Sequence, residues 1–255
     1  MPRLLYAIPG ALSKTALGRD EVLRREKVLS SWSAVDVDVA VRDVPTGPAS
    51  IESAYEEYLS VAPTAALLRD AEEEGFDAAV LGCFGDPGLD ALREVTTRMP
   101  VVGPGEAAFH LACMLGDRFG IVTVAWGVVS PLRHLVARSG LSERLAGIVV
   151  AETSVLDVTG HRDAMVEAVA AQGRTLIEQR GADVLVLGCM SLAFLDITSQ
   201  LEAELGVPVV NPARVGLHTA EMLARAQLRH SKGTYPRPAK LANGSVGRLE
   251  DLLLS

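Results

Sequence analysis

Two distant stretches of this chain repeat each other. Gly75, Asp77, Val80, Leu81, Gly82 and Cys83 recur 106 residues later as Gly181, Asp183, Val186, Leu187, Gly188 and Cys189. Farther along, Pro100-Val101-Val102 with Pro104 recurs as Pro208-Val209-Val210 with Pro212, and His110, Met114 and Leu115 recur as His218, Met222 and Leu223, now 108 residues apart. A single two-residue insertion reconciles the offsets. Repeats that stack into solenoids have periods of ~20–50 residues, so a period above 100 means two copies of a whole domain. At ~100–200 residues per domain, a chain of 255 residues has room for two compact ones.

Short β-branched runs alternate with longer stretches of helical periodicity, the pattern of parallel strands joined by crossover helices, and the class is α/β. Strands are expected at 3–8, 35–41, 78–82, 100–103, 119–125, 146–151, 183–188 and 207–210, four to each copy. Helices are expected between them, among others at 61–74, 87–98, 105–115, 130–138, 161–180, 192–205 and 213–228. The segment at 213–228 follows the last strand of the second copy as 105–115 follows that of the first, so the copies can exchange these helices. The expected domains are 1–115, joined by the C-terminal helix and tail at 212–255, and 116–211. After residue 229 the periodicity ends in a basic, proline-containing surface tail, with Leu249, Leu252 and Leu253 as the residues that could dock it.

Composition narrows the partners. A formal charge of -8, with two Trp, four Tyr and five Phe, provides neither the clustered basic charge nor the stacking platforms of a nucleic-acid binder. No apolar run reaches the ~18 residues of a membrane span. Leu4-Leu5-Tyr6-Ala7-Ile8 after Arg3 imitates a signal peptide, but Pro9-Gly10 and Lys14 interrupt it. Three widely spaced cysteines, Cys83, Cys113 and Cys189, fit neither a disulfide framework nor a zinc site. A cytoplasmic protein with reduced thiols and a small-molecule partner is expected.

Ligands of open parallel sheets bind beyond the carboxyl ends of the strands, and both repeated cysteines fall at such ends. If the two copies face each other about a pseudo-twofold axis, Cys83 and Cys189 approach one cleft from opposite sides. Opposed acid and base groups suit a reaction that takes a proton from one face of a stereocentre and returns one to the other. A thiol, with a free pKa of ~8.5, can serve in both forms. Asp86-Pro87-Gly88 after Cys83 reads as an N-cap with Pro at the first helical position, and Ser191 as the cap of the equivalent helix. Free amides at these helix starts could hold a developing enolate oxygen. Pro9 at the end of the first strand, with Thr123 and Trp126 at the end of the fifth, can wall the same cleft; a core Trp and a strand Thr are the other reading of the last two. Cys113 lacks a cysteine counterpart and reads as core. His110 and His218 read as packing or solvent-exposed positions.

The segments Leu81-Gly82-Cys83-Phe84-Gly85-Asp86-Pro87-Gly88, Gly105-Glu106-Ala107-Ala108, Phe119-Gly120-Ile121-Val122-Thr123 and Leu187-Gly188-Cys189 resemble the aspartate/glutamate racemase superfamily, and within it the hydantoin and allantoin racemase branch. The resemblance implies two pseudo-symmetric flavodoxin-like domains, each with a four-stranded parallel sheet, and an active site in the cleft between them. It also implies racemisation without cofactor or metal by the Cys83–Cys189 pair, backbone amides at Phe84, Gly85, Met190 and Ser191 holding the substrate, and a homo-oligomer. Two loops depart from the branch: Ile8-Pro9-Gly10-Ala11 stands where Asn-Pro-Asn-Thr is usual, and Met190-Ser191-Leu192 where Ala-Gly-Met is usual. Few charged residues follow either cysteine, which suits a neutral cyclic ureide such as a 5-substituted hydantoin or allantoin. The other chemistries of the superfamily (amino-acid racemisation, arylmalonate decarboxylation, maleate isomerisation) and a non-catalytic binding module are the alternatives. The retained Cys83 argues against decarboxylation.

Overall fold

The computed structural model describes residues 1–158 and 162–245. The apolar runs form two four-stranded parallel sheets. The first contains β1 (Arg3–Ile8), β2 (Asp38–Asp43), β3 (Ala78–Leu81) and β4 (Val101–Val102) in the order β2-β1-β3-β4. The second contains β5 (Phe119–Thr123), β6 (Leu145–Val150), β7 (Val184–Leu187) and β8 (Val209–Val210) in the equivalent order β6-β5-β7-β8. Strands β3, β5 and β7 are buried along their whole length, as parallel strands covered on both faces must be. The helices are α1 (Gly18–Trp32), α2 (Ala54–Glu73), α3 (Leu89–Val95), α4 (Pro104–Leu115), α5 (Val129–Arg138), α6 (Arg162–Arg180), α7 (Met190–Ala193), α8 (Thr198–Leu205), α9 (Pro212–Arg225) and α10 (Ala239–Ala242). This is an α/β fold of two flavodoxin-like halves. None of the described helices is long and apolar enough to cross a membrane.

Most of the repeat builds the frame. Gly75 and Gly181 adopt positive φ values of 86° and 69° just before β3 and β7, a conformation that favours glycine. The Asp77 carboxylate then accepts the Arg3 N–H at 2.8 Å, and that of Asp183 accepts the Asp117 and Arg118 N–H groups, each at 2.8 Å. Arg3 and Arg118 in turn donate to the Glu74 and Arg180 carbonyls at 2.8 Å. Each set pins the start of a half's third strand to its first strand. Pro104 and Pro212 occupy the first turns of α4 and α9, where a missing N–H costs nothing.

The same two helices cross between the halves. Helix α4 leaves the first sheet at β4 and packs on β7, β5 and β8 of the second, whereas α9 leaves the second at β8 and packs on β3, β4 and β1 of the first. They also pack on each other. Buried small residues at helical spacing, Ala108 and Ala112 on α4 and Gly216 and Ala220 on α9, permit the close approach. A Cβ at Gly216 would lie 3.0 Å from Val80 Cγ1 and 3.4 Å from Pro104 Cβ. On the outer side of the pair His110, Met114 and His218 are exposed.

Several sequence expectations shift. The helix expected at 61–74 begins at Ala54, because Ser53 and Glu56 form a capping box: Ser53 Oγ accepts the Glu56 N–H, and the Glu56 carboxylate accepts the Glu52 N–H at 2.9 Å. Pro63 lies inside this helix rather than near its start. The helix at 192–205 is broken into α7 and α8, with Asp196 between them at φ 53°. The strand at 35–41 becomes β2, displaced toward Asp43, because Ala34–Val37 is closed as a turn by the Val37 N–H to Ala34 carbonyl bond. The tail is held through His230, Lys232 and Tyr235: Val101 N–H donates to His230 Nε2 at 2.8 Å, Lys232 Nζ donates to the Arg93 and Thr96 carbonyls, and Arg93 donates to the Tyr235 hydroxyl at 3.2 Å. Leu249, Leu252 and Leu253 lie outside the described residues.

Asp86 is the clearest correction. It does not cap α3, which starts at Leu89 behind a left-handed Gly88. Its buried carboxylate instead accepts the Gly105 N–H at 3.0 Å and the Glu106 N–H at 2.7 Å, capping α4. Burial lifts this carboxyl to about 7, against the two amide bonds that favour its ionised form. That lies above the ~3.9 of an unfolded Asp, so the folded chain retains a proton that the unfolded chain releases. The stabilisation from that proton is complete below pH ~4 and fades as the pH rises to about 7. Asp86→Asn, which cannot titrate, should therefore gain in urea midpoint relative to wild type across that window and run parallel to it above. A flat difference between the two proteins would contradict the assignment.

Close strand crossings explain the glycine before each cysteine. A Cβ at Gly82 would lie 2.8 Å from Tyr6 Cε1 and 2.9 Å from the Ala7 carbonyl oxygen; at Gly188 it would lie 2.7 Å from Ile121 Cγ2 and 3.0 Å from the Val122 carbonyl oxygen. Gly82→Ala and Gly188→Ala should each cost about 1–3 kcal/mol in urea unfolding by overpacking. Each should also lower activity beyond the loss of folded protein, because the neighbouring cysteine moves.

Candidate active site

The carboxyl ends of β1, β3, β5 and β7 converge on one mainly apolar cavity of about 90 Å³. Both repeated cysteines line it, Cys83 from the loop after β3 and Cys189 from the loop after β7. The first-strand loop Ile8–Gly10 and the segment Ala49–Ile51 form part of its wall. These two segments are joined where the Ala11 N–H donates to the Pro48 carbonyl at 2.9 Å, and a Cβ on Gly10 would strike that same oxygen.

The two thiols have similar backbone settings and different electrostatic ones. Burial pushes the Cys83 thiol up to about 12; the Gly85 N–H opposes this, and Cys189, Glu57 and Asp86 add to it. Burial also raises Cys189, but there the N–H groups of Leu192 and Ser191, the Arg25 guanidinium and the Ser191 hydroxyl all favour the thiolate. Cys189 is the N-cap residue of α7, so those amides are the free donors of a helix start.

Two charged side chains that sequence reasoning missed also line the cavity, Arg25 from α1 and Glu57 from α2. Arg25 is 4% exposed; its Nε donates to Glu21 Oε1 at 2.8 Å, its Nη2 donates to Ser191 Oγ at 3.3 Å, and its guanidinium stacks over the Phe194 ring at 4.9 Å. Burial works against the Glu21 charge, yet hydrogen bonds from Arg24 and Arg25 hold its carboxyl below the usual range. Glu57 is raised by burial, with Arg138 opposing. Neither position belongs to the repeat, and only the pairing of Glu21 with Arg25 one helical turn apart hinted that a charge on α1 could be buried.

Of the residues expected at the site, Pro9, Phe84, Gly85, Thr123, Met190 and Ser191 line the cavity with the two cysteines. Thr123 does so with its hydroxyl committed, donating to the Gly188 carbonyl at 3.0 Å and so bracing the second cysteine loop rather than offering its proton inward. Trp126 is not brought to the cavity: it is 65% exposed and gives its indole N–H to Glu152 at 2.7 Å, because the chain turns outward into a short 3-10 segment after Ala125. Ser191 lies inside α7 and caps nothing; Arg25 uses its oxygen as an acceptor. Glu106, at the start of α4, pairs with Arg93 at 2.5 Å. Cys113 is half-buried on α4, away from the cavity lining. Among the described residues no group of three His, Cys, Asp or Glu side chains is placed to hold a metal ion.

The chain matches the family model described as Asp/Glu/Hydantoin racemase over residues 27–220. It is 38% identical over 227 residues to a hydantoin racemase from Pseudomonas sp. (strain NS671), covering 89% of each chain. It is 36% identical over 196 residues to a hydantoin racemase from Paenarthrobacter aurescens, covering 76% of this chain and 82% of that protein. Among solved structures, an allantoin racemase from Klebsiella pneumoniae superposes with a TM-score of 0.84 at 28% identity, over 94% of this chain and 95% of that one. The chain belongs to the Asp/Glu/hydantoin racemase family.

Proposed function

We propose that this protein is a cofactor-independent racemase that inverts the stereocentre of a small cyclic ureide, a 5-substituted hydantoin or allantoin, using Cys83 and Cys189. The observation that carries this reading is the pair of thiols at equivalent strand ends of two pseudo-symmetric sheets, lining one cavity. In the reaction, one cysteine thiolate takes the proton from the ring stereocentre, and the electron pair left on carbon spreads onto the neighbouring carbonyl oxygen. The opposite cysteine then gives its thiol proton to the other face of that carbon. The product is the mirror-image ring, and the two sulfurs have exchanged protonation states, ready for the other enantiomer.

The lining supports a neutral substrate. Arg25 is the one cation among the lining residues, and Glu21 and Ser191 already take its Nε donor and one Nη2 donor. The Glu57 carboxyl lines the same cavity and would repel an anion. A 5-substituted hydantoin instead needs apolar walls for its substituent, such as Phe84, Val128, Leu132 and Met190, and a few amides for its ring. Ring substrates named for the hydantoin and allantoin racemases similar to this chain fit that character. The chemistry also requires both thiols reduced, as in the cytoplasm.

Incubation of the enzyme with single enantiomers of 5-substituted hydantoins, allantoin and amino acids in deuterated water tests the proposal. Inversion of a cyclic ureide with deuterium entering at the stereocentre is expected, and no exchange across the panel would overturn it. Cys83→Ser and Cys189→Ser should each abolish inversion, because inversion needs a base and an opposed acid. Each variant should retain slow exchange of the one enantiomer whose proton faces its remaining thiol, with retention of configuration. Chiral chromatography and proton NMR on one sample read both quantities. Racemisation near the wild-type rate in either variant would replace the two-thiol scheme with a one-base or nucleophilic one.

A further inference from the structure

The backbone around the cavity is close to symmetric, and the charges around it are not. On the Cys189 side, Arg25 lines the cavity from α1 and donates to Ser191 Oγ at 3.3 Å, and Ser191 stands two residues beyond Cys189 in the same lining. On the Cys83 side the cavity is lined by Glu57 from α2, and the buried Asp86 carboxyl stands three residues beyond the cysteine. Among the described residues, Arg25 is the one arginine in the cavity lining, and it stands on the Cys189 side. Beneath both, the buried Tyr6 hydroxyl on β1 has no hydrogen-bond partner.

We propose that Arg25 is a positioning residue that holds the Ser191 side chain beside the Cys189 loop and makes Cys189 the more readily ionised of the two thiols. Arg24 is drawn off by Glu21 at 2.6 Å, so the cluster of Arg24, Arg25 and Glu21 keeps one net positive charge on the α1 side. Glu57 and Asp86 both disfavour a second negative charge at Cys83. Tyr6 stays protonated, since burial is the largest influence on it and raises it. Once one thiol is ionised, its charge also disfavours ionisation of the other, which keeps the pair as one acid and one base.

Enantiomers have equal free energy, so kcat/KM must be the same in both directions whatever Arg25 does. The resting asymmetry therefore shows as a split between kcat and KM: the enantiomer presenting its proton to Cys189 meets the prevailing form of the enzyme and has the lower KM and the lower kcat. Removing the Arg25 charge should narrow that split.

The proposal rests on the two-cysteine reading for its role in turnover, and its test is read without turnover. Full-length protein is alkylated with iodoacetamide across a pH series, and peptide mass spectrometry follows Cys83, Cys189 and Cys113 separately. In the wild type, Cys189 should react with a lower pH midpoint than Cys83. In Arg25→Met the Cys189 midpoint should rise by about one pH unit, a tenfold loss of thiolate at a fixed pH below it, while Cys113 stays unchanged. Arg25→Lys should restore most of the shift. Glu21 keeps Arg24 as a partner in these variants, and Ser191→Ala supplies the same test by a smaller change should Arg25→Met fail to fold. A Cys189 midpoint that is unmoved in the folded variant, or that moves together with Cys113, overturns the proposal. A midpoint that shifts as expected in a protein that racemises no cyclic ureide would leave the ionisation assignment standing and refute the proposed reaction alone.

Discussion

The exchange of α4 and α9 is the constraint on which the rest of the molecule depends. A flavodoxin-like half with a helix removed from one face exposes apolar strand surface, and here each half covers the other's. The sheets cannot separate without uncovering β3 in one direction and β7 in the other, the two strands that lead into Cys83 and Cys189. Hydrogen bonds tie each cysteine loop to an exchanged helix. Asp86, three residues after Cys83, caps α4, and Asn211, the cap of α9, donates from Nδ2 to the Ala193 carbonyl at the end of α7 at 2.9 Å. The spacing between the two thiols is therefore fixed by the same elements that join the halves, as a reaction requiring two opposed groups at one carbon demands.

Symmetry at the level of backbone does not carry through to charge. The repeat preserves what folding needs twice: positive φ at Gly75 and Gly181, the strand clamps at Asp77 and Asp183, and the narrow crossings at Gly82 and Gly188. It does not preserve Asp86, Arg25 or Glu57. A racemase that treated both faces identically would leave its single mobile proton on either sulfur at random. In the proposed reaction the departures from the repeat place that proton.

Legibility in the sequence followed the range over which each interaction acts. The cysteines, their glycines and the division into two sets of four strands could be read, because a repeat shows where one backbone solution was used twice. Pro104 and Pro212 located two helix starts through a local rule. The cap at Asp86 was misread because its partners, Gly105 and Glu106, lie in another helix, and no local pattern records them. The helix expected at 61–74 begins seven residues earlier, where the capping box at Ser53 and Glu56 sets its start. Trp126 looked suitable as a wall by its place at a strand end, but a 3-10 turn after Ala125 carries it outward to Glu152. Arg25 and Glu57 were invisible for the same reason as the Asp86 cap: they reach the cavity from helices whose own sequence reads as solvent-facing.

Burial of both thiols is at first sight a handicap, because it raises them and thins the supply of thiolate. In the proposed reaction, however, the proton to be removed is on carbon beside a carbonyl, and a weakly acidic carbon is better matched by a strong base than by a weak one. A thiolate formed in an apolar cavity is such a base, and in the proposed assignment Arg25, through Ser191, makes it easier to form at Cys189 than at Cys83. The same apolar setting makes Cys83 a reluctant acid in isolation. In the proposed reaction it becomes a competent one when the carbon opposite carries an electron pair, and both sulfurs line the cavity in which that carbon would sit.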